Sequence, residues 1–169
     1  MEKVNEFIEK MQQARRDKDT KGAVSYLQAA TKRLGELSEK DPENPVYYLK
    51  RANIYININA HKYAEKDLLK AISWEPDNSE TLYLLANVYL KTSEFKLSVQ
   101  AYDKFFLLDE EKPCGRDHAE IYYERAIARN GIFWYDEALA DLDAAEAINP
   151  DLPNLQKCRA TIEKNKQNA

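Results

Sequence analysis

Residues 45–78 read PVYYLKRANIYININAHKYAEKDLLKAISWEPDN, and this stretch decides the fold of the chain. Pro42 stands just before it and Pro76 near its end, 34 residues apart, and each proline closes a run with helical apolar spacing. The next step of that length falls close to Pro113, and after six extra residues the pattern resumes and closes at Pro150. A period of this length, built from helix, turn, helix and a proline break, predicts stacked helical hairpins.

Small residues recur at fixed positions of each predicted hairpin, where two helices have to approach closely. In the first helices of successive hairpins they are Ala52, Ala86 and Ala126. In the second helices they are Ala64, Ser98 and Ala138. Large residues stand four positions before the first set and are expected to fill the gaps between neighbours: Tyr48, Leu82 and Tyr122. The pattern therefore predicts an all-α fold.

These positions resemble the tetratricopeptide repeat family, and residues 135–150, YDEALADLDAAEAINP, are close to the family pattern letter by letter. The resemblance implies a right-handed superhelical stack of about four helix-turn-helix repeats, ended by a C-terminal capping helix, within one domain 1–169. The expected repeats are about 4–41, 45–78, 79–112 and 119–152, and the capping helix is expected at 153–167.

Composition and charge narrow the function classes. The chain has 169 residues, 44% of them hydrophobic, and it has no apolar run of membrane length, so we expect no membrane insertion. A net charge of -4 argues against a generic nucleic-acid binder. The opening residues 1–6 are charged and helix-patterned, which favours a cytoplasmic location; a periplasmic or secreted origin stays open if a leader was removed.

The sequence offers little that resembles catalytic chemistry. Its two histidines lie outside metal motifs such as HExxH, and it has no glycine-rich phosphate loop and no GxSxG. Cys114 and His118 are four residues apart but lack two further ligands nearby, and Cys114 could pair with Cys158 only if the fold brings them together. We therefore expect no catalytic residue, no cofactor and no metal.

The family resemblance also implies a binding surface, because the first helix of each such repeat lines the concave face. Seven residues then form the expected peptide groove: Leu49, Asn53, Ile56, Tyr83, Asn87, Tyr123 and Ile127. Asn53 and Asn87 are one period apart, and an amide side chain can both donate to and accept from a peptide backbone. The tyrosines would add apolar contact with a hydroxyl at the rim; they and the asparagines could equally serve only to fill the groove walls.

Some members of that family grip the acidic tails of heat-shock chaperones with a carboxylate clamp of lysine, arginine and asparagine. In the second to fourth repeats of this chain the clamp positions hold Leu49 and Asn53, then Leu84, then Glu120 and Glu124, so only Asn53 matches. Two carboxylates where two cations are required would repel an acidic tail. We predict that the chain does not bind in this way.

Two hypotheses for function follow. The first is a non-catalytic adaptor that binds a peptide or helix of another protein, with basic partners favoured by the acidic fourth repeat. The second is a self-assembling structural protein, because open helical stacks present apolar edges. The insertion at residues 113–118 stays open between a tolerated surface loop and a functional one.

Overall fold

The computed structural model describes residues 1–109 and 115–169, and the side chain of Asp109 lies outside that description, as do Pro113 and Cys114. The described residues form nine α-helices and no strand, in this order: α1 Glu2–Arg16, α2 Thr20–Lys40, α3 Pro45–Ile56, α4 His61–Trp74, α5 Ser79–Lys91, α6 Phe95–Asp109, α7 His118–Gly131, α8 Tyr135–Ile148 and α9 Leu155–Gln167. Helices pair as hairpins α1–α2, α3–α4, α5–α6 and α7–α8, and α9 packs on α8. The predicted all-α fold of helical hairpins is confirmed.

The chain divides into two compact units, Met1–Pro76 and Asp77–Ala169. The first unit holds two hairpins, and the second holds two hairpins and α9. The expected single domain and the repeat boundaries within it stay predictions.

Each unit has its own apolar core. In the first unit, Val4 of α1 packs with Ala30 and Leu34 of α2 and with Ile54 of α3. In the second, small residues let α7 and α8 approach, and α9 adds large side chains to the same cluster: Ala119, Ala126, Ala138, Leu142, Ala145, Leu152, Leu155 and Ile162. The alanines singled out by their spacing thus lie where two helices meet.

Local chemistry explains where helices begin. Asn44 caps α3 by accepting from the Val46 amide at 3.2 Å, and Pro45 occupies the first turn, where its missing N–H costs nothing. Asp117 caps α7 in the same way, accepting from the Ala119 amide at 2.9 Å.

The turn inside every hairpin contains one residue in the left-handed region: Lys18, Asn59, Ser93 and Phe133, with φ of 59°, 57°, 63° and 65°. Asparagine tolerates this conformation, whereas for a bulky side chain it is unfavourable by about 1 kcal/mol or more. Phe133 is also 74% exposed, so burial offsets little of that cost.

We expect Phe133→Asn to raise the free energy of unfolding of the second unit by about 0.5–1 kcal/mol, because it relieves the left-handed strain and removes an exposed ring. Chemical denaturation followed by circular dichroism measures the change. The control is Asn59→Phe, which places the bulky residue at the equivalent turn of the first unit and should destabilise it by a similar amount. A loss of stability in Phe133→Asn would show that the ring's edge-on contact with Tyr135, at 6.2 Å between centroids, outweighs the strain.

Two of the hairpins each contain a largely buried ion pair between their own two helices. In the first unit, Arg51 of α3 forks onto Asp67 of α4, with Nε 2.7 Å from Oδ2 and Nη2 2.6 Å from Oδ1. In the second unit, Arg125 of α7 repeats this geometry with Asp141 of α8, at 3.0 and 2.6 Å. The α5–α6 hairpin has Leu85 and Ala101 at the equivalent positions, both buried.

Candidate functional site

The three predicted groove residues of the first unit lie on α3. Leu49, Asn53 and Ile56 are all half-buried. The Asn53 side chain donates from Nδ2 to the Leu49 carbonyl oxygen at 3.1 Å, so part of its donor capacity is used within its own helix. The face is therefore mainly apolar, with one amide among aliphatic side chains.

In the second unit, a half-buried carboxylate organises the face shared by α5 and α7. Glu124 of α7 accepts from Asn87 Nδ2 of α5 at 2.7 Å through Oε1, and from the Tyr102 hydroxyl of α6 at 3.0 Å through Oε2. Burial raises the pKa of the Glu124 carboxyl, against the opposing effects of the Tyr102 hydroxyl and the Lys91 charge. The amide of Asn87 thus positions Glu124 and is not freely available to a peptide.

Tyr83 occupies the same face one turn before Asn87. Its ring lies 6.5 Å from the Tyr102 ring and 6.1 Å from the Phe105 ring, between centroids, so two α6 aromatics hold it in place. Burial, followed by the negative charge of Glu124, raises the pKa of the Tyr83 hydroxyl to about 12. The phenol therefore stays protonated at neutral pH.

The other two predicted residues, Tyr123 and Ile127, line a cavity of about 290 Å³ between α7 and α9. The opposite wall comes from Asn154, Cys158 and Ile162. Lys157 and Thr161 line the same wall, so it carries one cation. Burial raises the pKa of the Cys158 thiol. An apolar cavity of this size with amides at its rim suits a single apolar side chain.

The charges of α8 are largely balanced within the second unit. Arg159 of α9 pairs with Asp143 at 2.7 Å and with Glu146 at 2.9 Å, and Lys166 pairs with Asp136. Asp141 forms ion pairs with Arg125 and Arg129. The carboxylates of the face shared by α5 and α7 are Glu80, which pairs with Arg116, together with Glu120 and Glu124.

Other kinds of site find little support in the described part of the chain. Within residues 1–109 and 115–169, no three His, Cys, Asp or Glu side chains cluster as metal ligands would. The Cys114–His118 pair and the possible Cys114–Cys158 disulfide both involve Cys114, which lies outside the described residues. No helix in the described ranges is both long enough and apolar enough to cross a membrane.

The structure therefore divides the predicted groove residues among three places. Leu49, Asn53 and Ile56 share α3, Tyr83 and Asn87 flank Glu124, and Tyr123 and Ile127 line the α7–α9 cavity. Sequence reasoning did not identify Glu124 as a contact of Asn87, nor the cavity wall on α9. A signal for Glu124 was present, since it stands where the two preceding repeats have Lys50 and Leu84.

Glu124 gives a pH-dependent prediction. A carboxyl whose pKa is higher in the folded than in the unfolded state stabilises the fold at low pH and loses that contribution as pH rises through both values. We therefore expect Glu124→Gln to gain stability relative to wild type as pH rises from about 4 to 7, because glutamine carries no charge to bury.

The measurement is urea unfolding of both proteins across that pH range. Glu163→Gln removes the same charge from an exposed position of α9 and serves as the control. A stability difference between Glu124→Gln and wild type that stayed constant with pH would contradict the assignment of a raised pKa.

Comparisons with known proteins agree with this architecture. Residues 45–78 and residues 68–100 match two family models that are both described as tetratricopeptide repeat. No curated protein matches the sequence.

Solved structures share the fold at low sequence identity. A crystal structure of MamA protein is 17% identical, with 98% of this chain and 84% of that chain covered and a TM-score of 0.72. YrrB, described as a TPR protein with an unusual peptide-binding site, is 20% identical, with coverages of 86% and 72% and a TM-score of 0.75. The first TPR of Spaghetti (RPAP3), bound to the HSP90 peptide SRMEEVD, is 16% identical, with coverages of 73% and 94% and a TM-score of 0.62.

The fold of the described residues is that of a helical-repeat protein built from helix-turn-helix hairpins. The two matched segments, residues 45–78 and 68–100, have the sequence of tetratricopeptide repeats.

Proposed function

We propose that the chain is a non-catalytic adaptor that binds an extended or helical segment of another protein on its first-helix faces. The observation that carries this proposal is the cavity of about 290 Å³ formed by Tyr123 and Ile127 against α9. It lies on the face expected to meet a peptide, and it suits an apolar anchor side chain. YrrB and the Spaghetti domain, which have the same fold, are described with a peptide-binding site and with a bound peptide.

The other groups on these faces supply polarity. Asn130 at the cavity rim can donate from its Nδ2 to the backbone of a bound segment, while its Oδ1 accepts from Asn165. The carboxylates of Glu80, Glu120 and Glu124 favour a segment that carries basic residues. We propose that affinity falls as ionic strength rises, since exposed charges are screened.

The proposed mode differs from the carboxylate clamp. Glu124 is the hydrogen-bonded centre of the α5–α7 face and is held there by donors from two helices. A carboxylate of an acidic tail would therefore approach the half-buried carboxylate of Glu124 instead of a cation. Binding of a chaperone tail peptide that depended on Asn53 would contradict this part of the proposal.

Affinity purification with three baits tests the groove. The first bait is wild type, the second carries Tyr123→Ala and Ile127→Ala, and the control carries Tyr63→Ala and Ile148→Ala, which truncates the same residue types at positions 65% and 53% exposed. We expect a protein, identified by mass spectrometry, to be captured by wild type and by the control but lost by the cavity variant. Its purified binding segment should then show a Kd at least about tenfold weaker for the cavity variant.

Other outcomes count against the adaptor. Equal capture by all three baits would place the site elsewhere. Capture only of a differently tagged copy of the same chain would favour the self-assembling structural protein instead.

A further inference from the structure

Arg116 follows the undescribed residues 110–114 and reaches back to α5. Gly115 beside it has φ of +75°, a conformation that glycine adopts without strain, and Asp117 after it caps α7. The guanidinium carbon of Arg116 lies 4.3 Å from the centre of the Tyr83 ring. Its Nε donates to Glu80 Oε2 at 2.9 Å, and its Nη2 donates to Glu80 Oε1.

The ring of Tyr83 and the carboxylate of Glu80 together form a binding site for a guanidinium, which we call the arginine seat. A guanidinium is planar, stacks on aromatic faces and forks onto a carboxylate through two parallel hydrogen bonds. The Tyr83 ring is already positioned by Tyr102 and Phe105, and Glu80 sits one turn earlier on the same helix. The seat is therefore built from α5 and α6, and Arg116 is its occupant.

The Arg116 side chain can leave the arginine seat. The Arg116 and Glu80 side chains are 34% and 33% exposed, so water can compete for both partners. The seat keeps an excess of negative charge nearby, because Glu120 and Glu124 both act on the Tyr83 hydroxyl. A second guanidinium would therefore find the same ring, the same carboxylate and a favourable field once Arg116 moves away.

We propose that the seat binds an arginine side chain of a partner polypeptide, and that Arg116 is an internal competitor that occupies it in the free protein. This inference rests on the proposed function, because the partner is the segment held on the first-helix faces. It assigns a role to the described end of the 113–118 insertion, which holds down affinity until a partner arginine displaces Arg116. The apparent Kd is then the intrinsic Kd divided by the fraction of molecules with an open seat.

The test uses the peptide Ac-Ala-Ala-Arg-Ala-Ala-NH₂ as probe, followed by the NMR signals of the Tyr83 ring. Arg116→Ala should bind it about tenfold more tightly than wild type, because the competitor is gone. The double variant Arg116→Ala/Glu80→Gln should lose that gain. A second probe with citrulline in place of arginine has the same shape without the charge, and should bind all three proteins equally weakly.

Charge alone is controlled by Lys96→Ala, which removes one cation from an exposed position of α6. An Arg116→Ala affinity equal to wild type, or a gain matched by Lys96→Ala or by the citrulline probe, would overturn the proposal. Circular dichroism of Arg116→Ala should be unchanged, since the Asp117 cap remains.

The arginine-probe experiment and the affinity purification test the two proposals independently. Peptide binding at Tyr83 does not use the α7–α9 cavity, so Tyr123→Ala/Ile127→Ala should leave the arginine probe unaffected. A positive probe result with an unsuccessful affinity purification would retain the seat and reject the adaptor site at the cavity. The reverse pattern would retain the cavity and reject the seat.

Discussion

Arg51→Leu should lower the free energy of unfolding of the first unit by about 3 kcal/mol or more, because it leaves the Asp67 carboxylate buried without its partner. The Asp67 side chain is only 5% exposed, so its charge cannot be fully resolvated in the hairpin, whereas the Arg51 side chain is 19% exposed. Asp67→Ala should cost less, since the long arginine side chain can turn its charge towards water. Urea unfolding at neutral pH measures both.

The chain contains the control for this experiment. The α5–α6 hairpin carries Leu85 and Ala101 at these two positions. Arg51→Leu combined with Asp67→Ala therefore reproduces a pair already accepted by the same hairpin geometry. We expect the double variant to regain most of the lost stability, which would give a coupling energy of about 2–3 kcal/mol. Additive effects of the two substitutions would show that the pair does not act as a unit.

Gly131→Ala should destabilise the second unit by about 1–3 kcal/mol, which is the usual cost of inserting a methyl group into a packed site. A Cβ built at Gly131 would overlap the ring of Phe95. That ring packs with a buried cluster of Leu90, Val99 and Ala128, so it cannot shift freely. Thermal and urea unfolding of the purified variant check the effect.

Gly35→Ala is the matched control, with the opposite expected sign. Gly35 lies inside α2, and the nearest neighbour of a Cβ there would be Arg51 Nη1 at 3.4 Å. Alanine in a helix interior is more favourable than glycine by about 0.5–1 kcal/mol. We therefore expect the free energy of unfolding to rise for Gly35→Ala and to fall for Gly131→Ala. Stabilisation at both positions would mean that the Phe95 ring rotates away without cost.

The sequence was sufficient for the hairpins because their determinants are local and periodic. Ala126 and Ala138 mark the close approach of α7 and α8, and Asn44 with Pro45 marks the start of α3; each signal acts within a few residues. Arg51 and Asp67 recur as Arg125 and Asp141 with identical separation, which is a sequence signal of the buried ion pairs that the sequence analysis did not use.

Sequence reasoning went less far at the site because the decisive contacts there are between distant residues. Asn87 was expected to face a peptide, yet its amide meets Glu124, 37 positions away. The position of Arg116 over Tyr83 depends on the path of the chain into α7, which no periodicity describes. The acidity of the fourth repeat favours a basic partner, but the sequence did not show that Arg159 and Lys166 of α9 pair with Asp143 and Asp136. Composition gives the number of charged residues, whereas the fold determines which of them form ion pairs.

The last helix has a consequence for how the protein could be trimmed. Because α9 supplies both one wall of the α7–α9 cavity and the cations that pair with α8, a cut before Leu155 would open that cavity and unmask Asp136, Asp143 and Glu146 in a single event. Such a shortened chain would migrate as a more acidic species. Under the proposed function, electrophoretic mobility would then distinguish chains that keep the cavity from chains that have lost it, without any partner in the assay.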